Sequence, residues 1–467
     1  MRTIVTLLLA LHAVTFSATL HVGSGQTYAN VQPAAGAAGP GDTILVHAGT
    51  YAGGQWISGL QGDQTRWITI RAFPGDTPIV DGGSEAWHLV DPAWVRVEGI
   101  AFQGQTSNGV NTDDGGDYAT PAHHVVFERC TFRRMNATGN NDLLKLSGLD
   151  DFEIRQCVFE DGSAGGSGCD MVGCHRGLFT GNRFVRMGSN AIQAKGGSRH
   201  VTIERNYFED CGERSVNLGG STGLQYFRPD TAHYEAADLH VYANVFVGSQ
   251  APIAYVGCIN TDVVNNTVFK PVRWVVRILQ ETVDTTRFAK CGYNTFRNNV
   301  VYRGTISTDC NIGPNTAPQT FTFSNNLWYN YQTPGSSAPR DLPVTDANAV
   351  IGQDPAFADT AGRNFAITSA SPAAGQGMAV AQPLLDYLSK GYANPRSIGA
   401  CEANPATVRR APALQGTAGR ASARTIARVM PSGDRRAQYD GAYLLHGRTA
   451  ACASAAGLLL QPAPSAR

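Results

Sequence analysis

Charge, long apolar runs and helical periodicity are all scarce in this sequence. Only 16% of its 467 residues are Asp, Glu, Lys or Arg, against about a quarter in an ordinary soluble domain. No Leu-, Glu- and Lys-rich stretch keeps a 3.6-residue repeat, which excludes helical bundles and strand–helix–strand units. Beyond residue 18, no apolar run is long enough to span a bilayer. No two cysteines stand in a Cys-x-x-Cys pair, so a zinc ribbon is excluded. A Walker loop, a Gly-x-Gly-x-x-Gly turn after a strand and a His-Glu-x-x-His helix are also missing, removing the common nucleotide and metalloprotease signals.

Glycine is abundant, at 52 residues, among many short Val/Ile/Phe runs. That mixture predicts β-structure with frequent turns. Arg2, the apolar stretch 4–11 and the small residues Ser17 and Ala18 read as an export signal over 1–18, so the protein is expected to be secreted or periplasmic. Ten cysteines fit an oxidising compartment. Nine precede position 402 and Cys452 lies in the tail, so at least one thiol of the body lacks a partner within it. A net charge of zero hides an asymmetry. Residues 403–467 hold nine Arg and two acidic residues, leaving 28 basic and 35 acidic residues in the remainder. This Ala-, Pro- and Ser-rich basic tail is expected to be disordered. The acidic body argues against nucleic acid as a partner.

One unit recurs along the body. Cys130-Thr-Phe132, Cys157-Val-Phe159, Asn182-Arg-Phe184, Asn206-Tyr-Phe208, Asn244-Val-Phe246, Asn266-Thr-Val268, Asn299-Val-Val301 and Asn326-Leu-Trp328 follow each other at spacings of 27, 25, 24, 38, 22, 33 and 27. Each unit holds short period-2 strands and no helix, so residues 19–402 are predicted to stack coil on coil as an all-β parallel solenoid. An Asn at one site per coil can accept from one backbone group and donate to the next rung. Cys130 and Cys157 fill the same slot on adjacent rungs, as a disulfide or as two buried thiols. Residues 21–51, with a short helix near 31–38, form the N-terminal cover. Residues 354–402 are expected to cover the other end.

Aligning the coils on their second strand puts Lys145, Asp170, Lys195, Asn217, Tyr255 and Arg277 on one line. The long insertions 112–122, 221–238 and 281–292 all follow that strand, which predicts a wall beside a flat sheet and a groove suited to an extended polymer. The loops add Arg214, Tyr226, Arg228, His233, Tyr234 and Glu235. Removing the weakly acidic C5 proton of a uronic acid requires a neutralised carboxylate, a base such as Lys or Arg, and an acid such as Tyr or His for the leaving oxygen. Lys195, Arg277, His233 and Tyr234 are the catalytic candidates. Lys145, Asn217, Arg214, Tyr226, Arg228 and Tyr255 are the candidates for holding substrate.

The opening Gly41-Asp-Thr-Ile-Leu-Val-His-Ala-Gly-Thr-Tyr51, the coil series and the ending Ile398-Gly-Ala-Cys-Glu402 resemble secreted right-handed parallel β-helix proteins of the pectate-lyase-like superfamily. The resemblance spans roughly residues 20–402. The run Ile192-Gln-Ala-Lys195-Gly-Gly-Ser198 also resembles, distantly, the catalytic coil of the chondroitinase B/alginate lyase family. It implies a catalytic lysine at Lys195 and calcium ligands on preceding strands, for which Asp170 stands in place, with Glu235 of the long loop as a second candidate. That family's arginine falls here near Leu218. The function this implies is an enzyme, a lyase that cleaves an acidic, uronate-containing polysaccharide by β-elimination, acting as a monomer with Ca²⁺ as the one cofactor in question. A polyuronate C5-epimerase, a glycosidase (Asn111-Thr-Asp113-Asp114 resembles the start of the polygalacturonase signature) and a non-catalytic carbohydrate-binding solenoid remain as alternatives. The acids Asp113, Asp114 and Asp117 could also hold calcium in their loop.

Overall fold

The computed structural model describes residues 17–284 and 286–404. Most of the expected export signal lies outside the described residues. So does the basic tail from 405 onward, Cys452 included. Among the described residues, no helix is long and apolar enough to cross a membrane.

The repeat read from the sequence is a stack of coils. Each full coil contributes one strand to each of three parallel sheets, of 16, 10 and 12 strands among the described residues. One coil, for example, runs through Ser167–Val172, His175–Thr180 and Arg183–Val185, and the next repeats it with Asn190–Lys195, Thr202–Glu204 and Tyr207–Glu209. Alternate side chains point inward, as a pleated strand requires. Phe102, Phe132, Phe159, Phe184, Phe208 and Phe246 stack ring on ring inside, with centroids 4.5–5.2 Å apart. The cover helix spans Val31–Ala37 and packs Val31, Ala34 and Ala35 into the core.

At the bend between the first and third sheets the asparagines form the expected ladder. Each amide Nδ2 donates to the next Oδ1 along Asn182, Asn206, Asn244, Asn266, Asn299 and Asn326, at 2.9–3.1 Å. The backbone N–H of each rung also donates to the Oδ1 of the rung above, as Asn206 does to Asn244 at 2.9 Å. The last amide donates to Asp346. Cys130 and Cys157 hold the same slot as free, buried thiols, and the Cys157 N–H donates to Asn182 Oδ1. Each slot follows a residue with left-handed backbone. Arg129, Gln156, Arg205, Ala243, Asn265, Asn298 and Asn325 all have φ of 51–56°. This reversal makes the sharp corner, and four of the seven are residue types that adopt it only at a cost.

The C-terminal segment departs from the expectation of an end cover. Phe357 and Phe365 pack instead with Val245, Val247, Phe269 and Ala400, and Ile367, Ala373 and Ile398 pack with Val300 and Leu327. These are outward-facing positions of the 12-stranded sheet. In Thr131–Arg133 and Tyr207–Glu209 the outward residues are polar or amphipathic, whereas Val245–Val247 and Thr267–Phe269 are buried on both faces. An apolar outer face needs a cover, and the segment supplies it. Asn265 donates to the Ser397 and Gly399 carbonyls, and Asn298 exchanges bonds with the Met378 backbone.

Two outcomes follow. Asn244→Ala removes an acceptor from two Asn206 donors and a donor from Ile203 O and Asn266; it is expected to cost about 3 kcal/mol, read as a fall in the urea midpoint. Gln156→Gly, at an exposed corner with φ 54°, is expected to stabilise the fold by about 0.5–1 kcal/mol, read as a rise in the same midpoint.

Candidate functional site

The ten-stranded sheet carries the groove. Its register aligns Trp56, His88, Asn111, Lys145, Asp170, Gln193, Asn217, Ala254, Arg277 and Asn311 in one column. Their neighbours Leu144, Leu146, Met171, Ile192, Ala194, Val216 and Leu218 belong to the core. The column therefore faces outward, with Ser147, Val172, Lys195, Gly219 and Val256 two residues further on the same face. The loops 114–121, 220–235 and 280–294 follow the strands Val110–Asp113, Arg214–Gly219 and Val276–Leu279, so all three rise from one edge of this sheet.

A cleft of about 350 Å³ opens there, lined by Tyr118, Lys145, Ser147, Val172, Lys195, Ser221, Thr222, Gly223 and Tyr226. On its floor Asp170, 1% exposed, accepts from Lys145 and lies 3.3 Å from Lys195 Nζ. Asp142, also buried, sits 3.7 Å from Lys145. Burial alone would drive Asp170 toward its neutral form, but the two ammonium groups outweigh it and hold its pKa below the usual carboxylate range. Burial works against the Lys145 charge, yet Asp170 and Asp142 together raise its pKa. Asp142 is pushed the other way: burial first, then the Asp170 charge, lift it to about 6.

Two buried charged groups root the walls. Arg228, in the long loop, donates twice to Asp150 (2.7 and 3.0 Å), to Gly173 O and to Tyr118 O. Burial would raise the Asp150 pKa, but His175 and Arg228 hold it far below the normal range. Glu235, fully buried, accepts from the Gly196 and Thr222 backbones and from the Thr222 and Thr282 hydroxyls. It thereby ties the sheet margin to two loops. Gly219 and Gly220 keep that margin low: a Cβ on Gly220 would lie 2.5 Å from Gln193 Nε2 and press on Lys195, and one on Gly219 would meet Val256 O at 1.7 Å.

Lys145, Lys195 and Tyr226 thus come together, while several other candidates do not. Tyr255 is fully buried and donates to Thr295 O; a one-residue slip of register turned it inward. Arg228 and Glu235 are spent on anchoring loops and cannot hold substrate or metal. Tyr234 packs with Phe227, Ala232, Ala237 and Phe288, and His233 is exposed beside it, outside the cleft lining. Neither lines the cleft that holds Lys145 and Lys195. Arg277 shares the outward face but sits three rungs beyond Gln193, about 14 Å away at ~4.8 Å per rung. Asn217 and Arg214 bond to each other at 3.0 Å on the rung after Lys195. Sequence reasoning missed Tyr118, Asp142 and Gln193. Tyr118 stood inside a flagged insertion, whereas Asp142 precedes its strand and carries no motif.

Calcium does not fit these residues. Asp170 is a single carboxylate between two ammonium groups, and among the described residues no three His, Cys, Asp or Glu side chains converge. Asp113, Asp114 and Asp117 are turned onto the backbone N–H groups of Gly115, Gly116 and Ala119, closing their own turns.

The Asp142 shift has a consequence for stability. A carboxyl whose folded pKa lies above its unfolded value stabilises the fold fully below about pH 4, and that contribution is lost as pH rises through about 6. Asp142→Asn, which keeps an acceptor for the Ser167 N–H, is expected to gain on the order of 2 kcal/mol over the native protein between pH 4 and pH 7. Urea midpoints across that range check it.

A known structure shares the architecture. A pectate lyase matches at 14% identity with a TM-score of 0.50, covering 84% of this chain and 98% of its own. A rhamnogalacturonan lyase matches at 13% identity and TM-score 0.48, covering 66% of this chain and 87% of its own. An alginate lyase from Paenibacillus sp. matches at 15% and 0.44, covering 64% and 96%. No curated protein matches the sequence. The family model for the right-handed β-helix region matches residues 88–268, and with the sheet order and the stacked coils this makes the fold a right-handed parallel β-helix.

Proposed function

We propose that the protein acts on a uronate-containing polysaccharide and cleaves it by β-elimination in the Lys145–Asp170–Lys195 cleft. One observation carries the reading: two lysines converge on a buried carboxylate at the floor of a walled, open groove. Such a groove suits an extended chain, and paired ammonium groups suit its carboxylates. Lys145 sits between Asp142 and Asp170 and keeps its proton, so it neutralises the uronate carboxylate. Among the described residues Lys195 pairs with Asp170 alone, and it is the base. It takes the proton from C5, the electron pair forms the C4–C5 double bond, and the C4–O bond breaks. Burial keeps the Tyr118 hydroxyl protonated, which suits it to protonate the departing oxygen. Tyr226, half-exposed, offers its ring face to a sugar.

A second reading rests on the same carboxylate. Asp170 favours the charged form of a neighbouring lysine, which suits capture of an anionic chain without turnover. Incubation with pectate, alginate and chondroitin separates the two. A lyase raises absorbance at the unsaturated-uronate band, and Lys195→Ala lowers kcat by about a hundredfold or more while the urea midpoint stays near that of the native protein. Retention on one polymer with no absorbance change in any would leave the binding reading alone.

A further inference from the structure

A second cleft lies on the same groove, away from the lysines. It encloses about 520 Å³ and is lined by Glu213, Gln250, Arg273, Trp274 and Arg277. The guanidinium groups of Arg273 and Arg277 lie 4.0 and 4.6 Å from the Trp274 ring centroid. Among the described residues neither forms an ion pair with a carboxylate; Arg277 donates to Asn311 Oδ1 at 3.0 Å. Arg214 stands close by and is paired with Glu281. Burial and the Arg214 charge lower the Arg277 pKa, against the opposing charges of Glu281 and Glu213, and neither acid comes within ion-pair distance of Arg273 or Arg277 among the described residues. A planar, bidentate donor pair held on an aromatic face is how carboxylates are recognised.

Its position supplies the rest. Arg277 occupies the outward column that also holds Lys145, Asp170 and Gln193, three rungs past the last of these. One pyranose unit is roughly as long as one rung spacing, so a chain along the groove meets the second cleft about three units after the first. We infer that Arg273 and Arg277, braced on Trp274, form a second carboxylate-binding subsite for the same uronate chain, so that full engagement requires an oligomer spanning both clefts. The substrate class rests on the reading proposed above; the separation of the two clefts does not.

The test is the length dependence of binding. Trimers and hexamers prepared from pectate and from alginate are titrated calorimetrically into Lys195→Ala protein, where turnover cannot erode the probe. A hexamer of at least one series is expected to bind about tenfold or more tightly than its trimer. Adding Arg273→Ala and Arg277→Gln is expected to collapse that ratio toward one, with the thermal midpoint unchanged. A hexamer no tighter than its trimer in either series, or a ratio the double substitution leaves intact, overturns the inference. If native protein yields no unsaturated product yet the length preference appears and then collapses, the subsite stands and the lyase reading falls.

Discussion

Every coil of this protein turns a corner where the backbone leaves one sheet before joining the next, and the amide at that corner needs a partner. The asparagine ladder supplies it. Each side chain accepts from the rung below and donates to the rung above, so satisfaction of one coil depends on the register of its neighbours. Buried donors left unpaired are expensive, and this one requirement locks the coils in phase. The stacked phenylalanines lie two residues past the same slots, so their column follows from the same phase. The corner also tolerates left-handed backbone at residues as ill-suited as Arg129 and Ala243.

Phase locking is also what makes a groove. Because the coils stay in register, Lys145 stands directly beside Asp170 on the next strand, and Lys195, two residues along the same outward face of the strand after, reaches Asp170 with its side chain, although 25 residues separate each from the one before. A buried carboxylate flanked by two ammonium groups is not a general source of stability, since desolvation offsets much of the attraction. Its consequence is a fixed charge pattern on a rigid floor. The walls above are held with equal firmness, by Arg228 on Asp150 and by Glu235 at the root of two loops. Candidates that appeared chemical in the sequence are thus the supports of the site.

How far the sequence could be read depended on what kind of signal each feature left. Asn182 to Asn326 announced themselves by spacing, because the same physical problem recurs in each coil. The outward column was partly legible: Lys145, Asp170, Asn217 and Arg277 were placed rightly, Lys195 fell two residues beyond the column on the same face, where Gln193 stands instead, and Tyr255 was placed wrongly, because Tyr is equally at home inside and outside a strand. The flanking role of 354–404 was also open to reading. Strands such as Val245–Val247, apolar on both faces, declare a covered outer surface.

The sequence by itself determined the solenoid, since period-2 strands with one polar slot per coil admit no other way to bury their apolar face. It also determined the edge from which the long loops rise. Only the tertiary structure decided which charges meet. Whether Arg228 pairs with Asp150 across 78 residues, or Arg277 with Trp274 on its own strand's approach, depends on how irregular loops fold back over the sheet. Loop geometry is set by contacts that have no period, and a pattern without a period leaves no trace in a single chain.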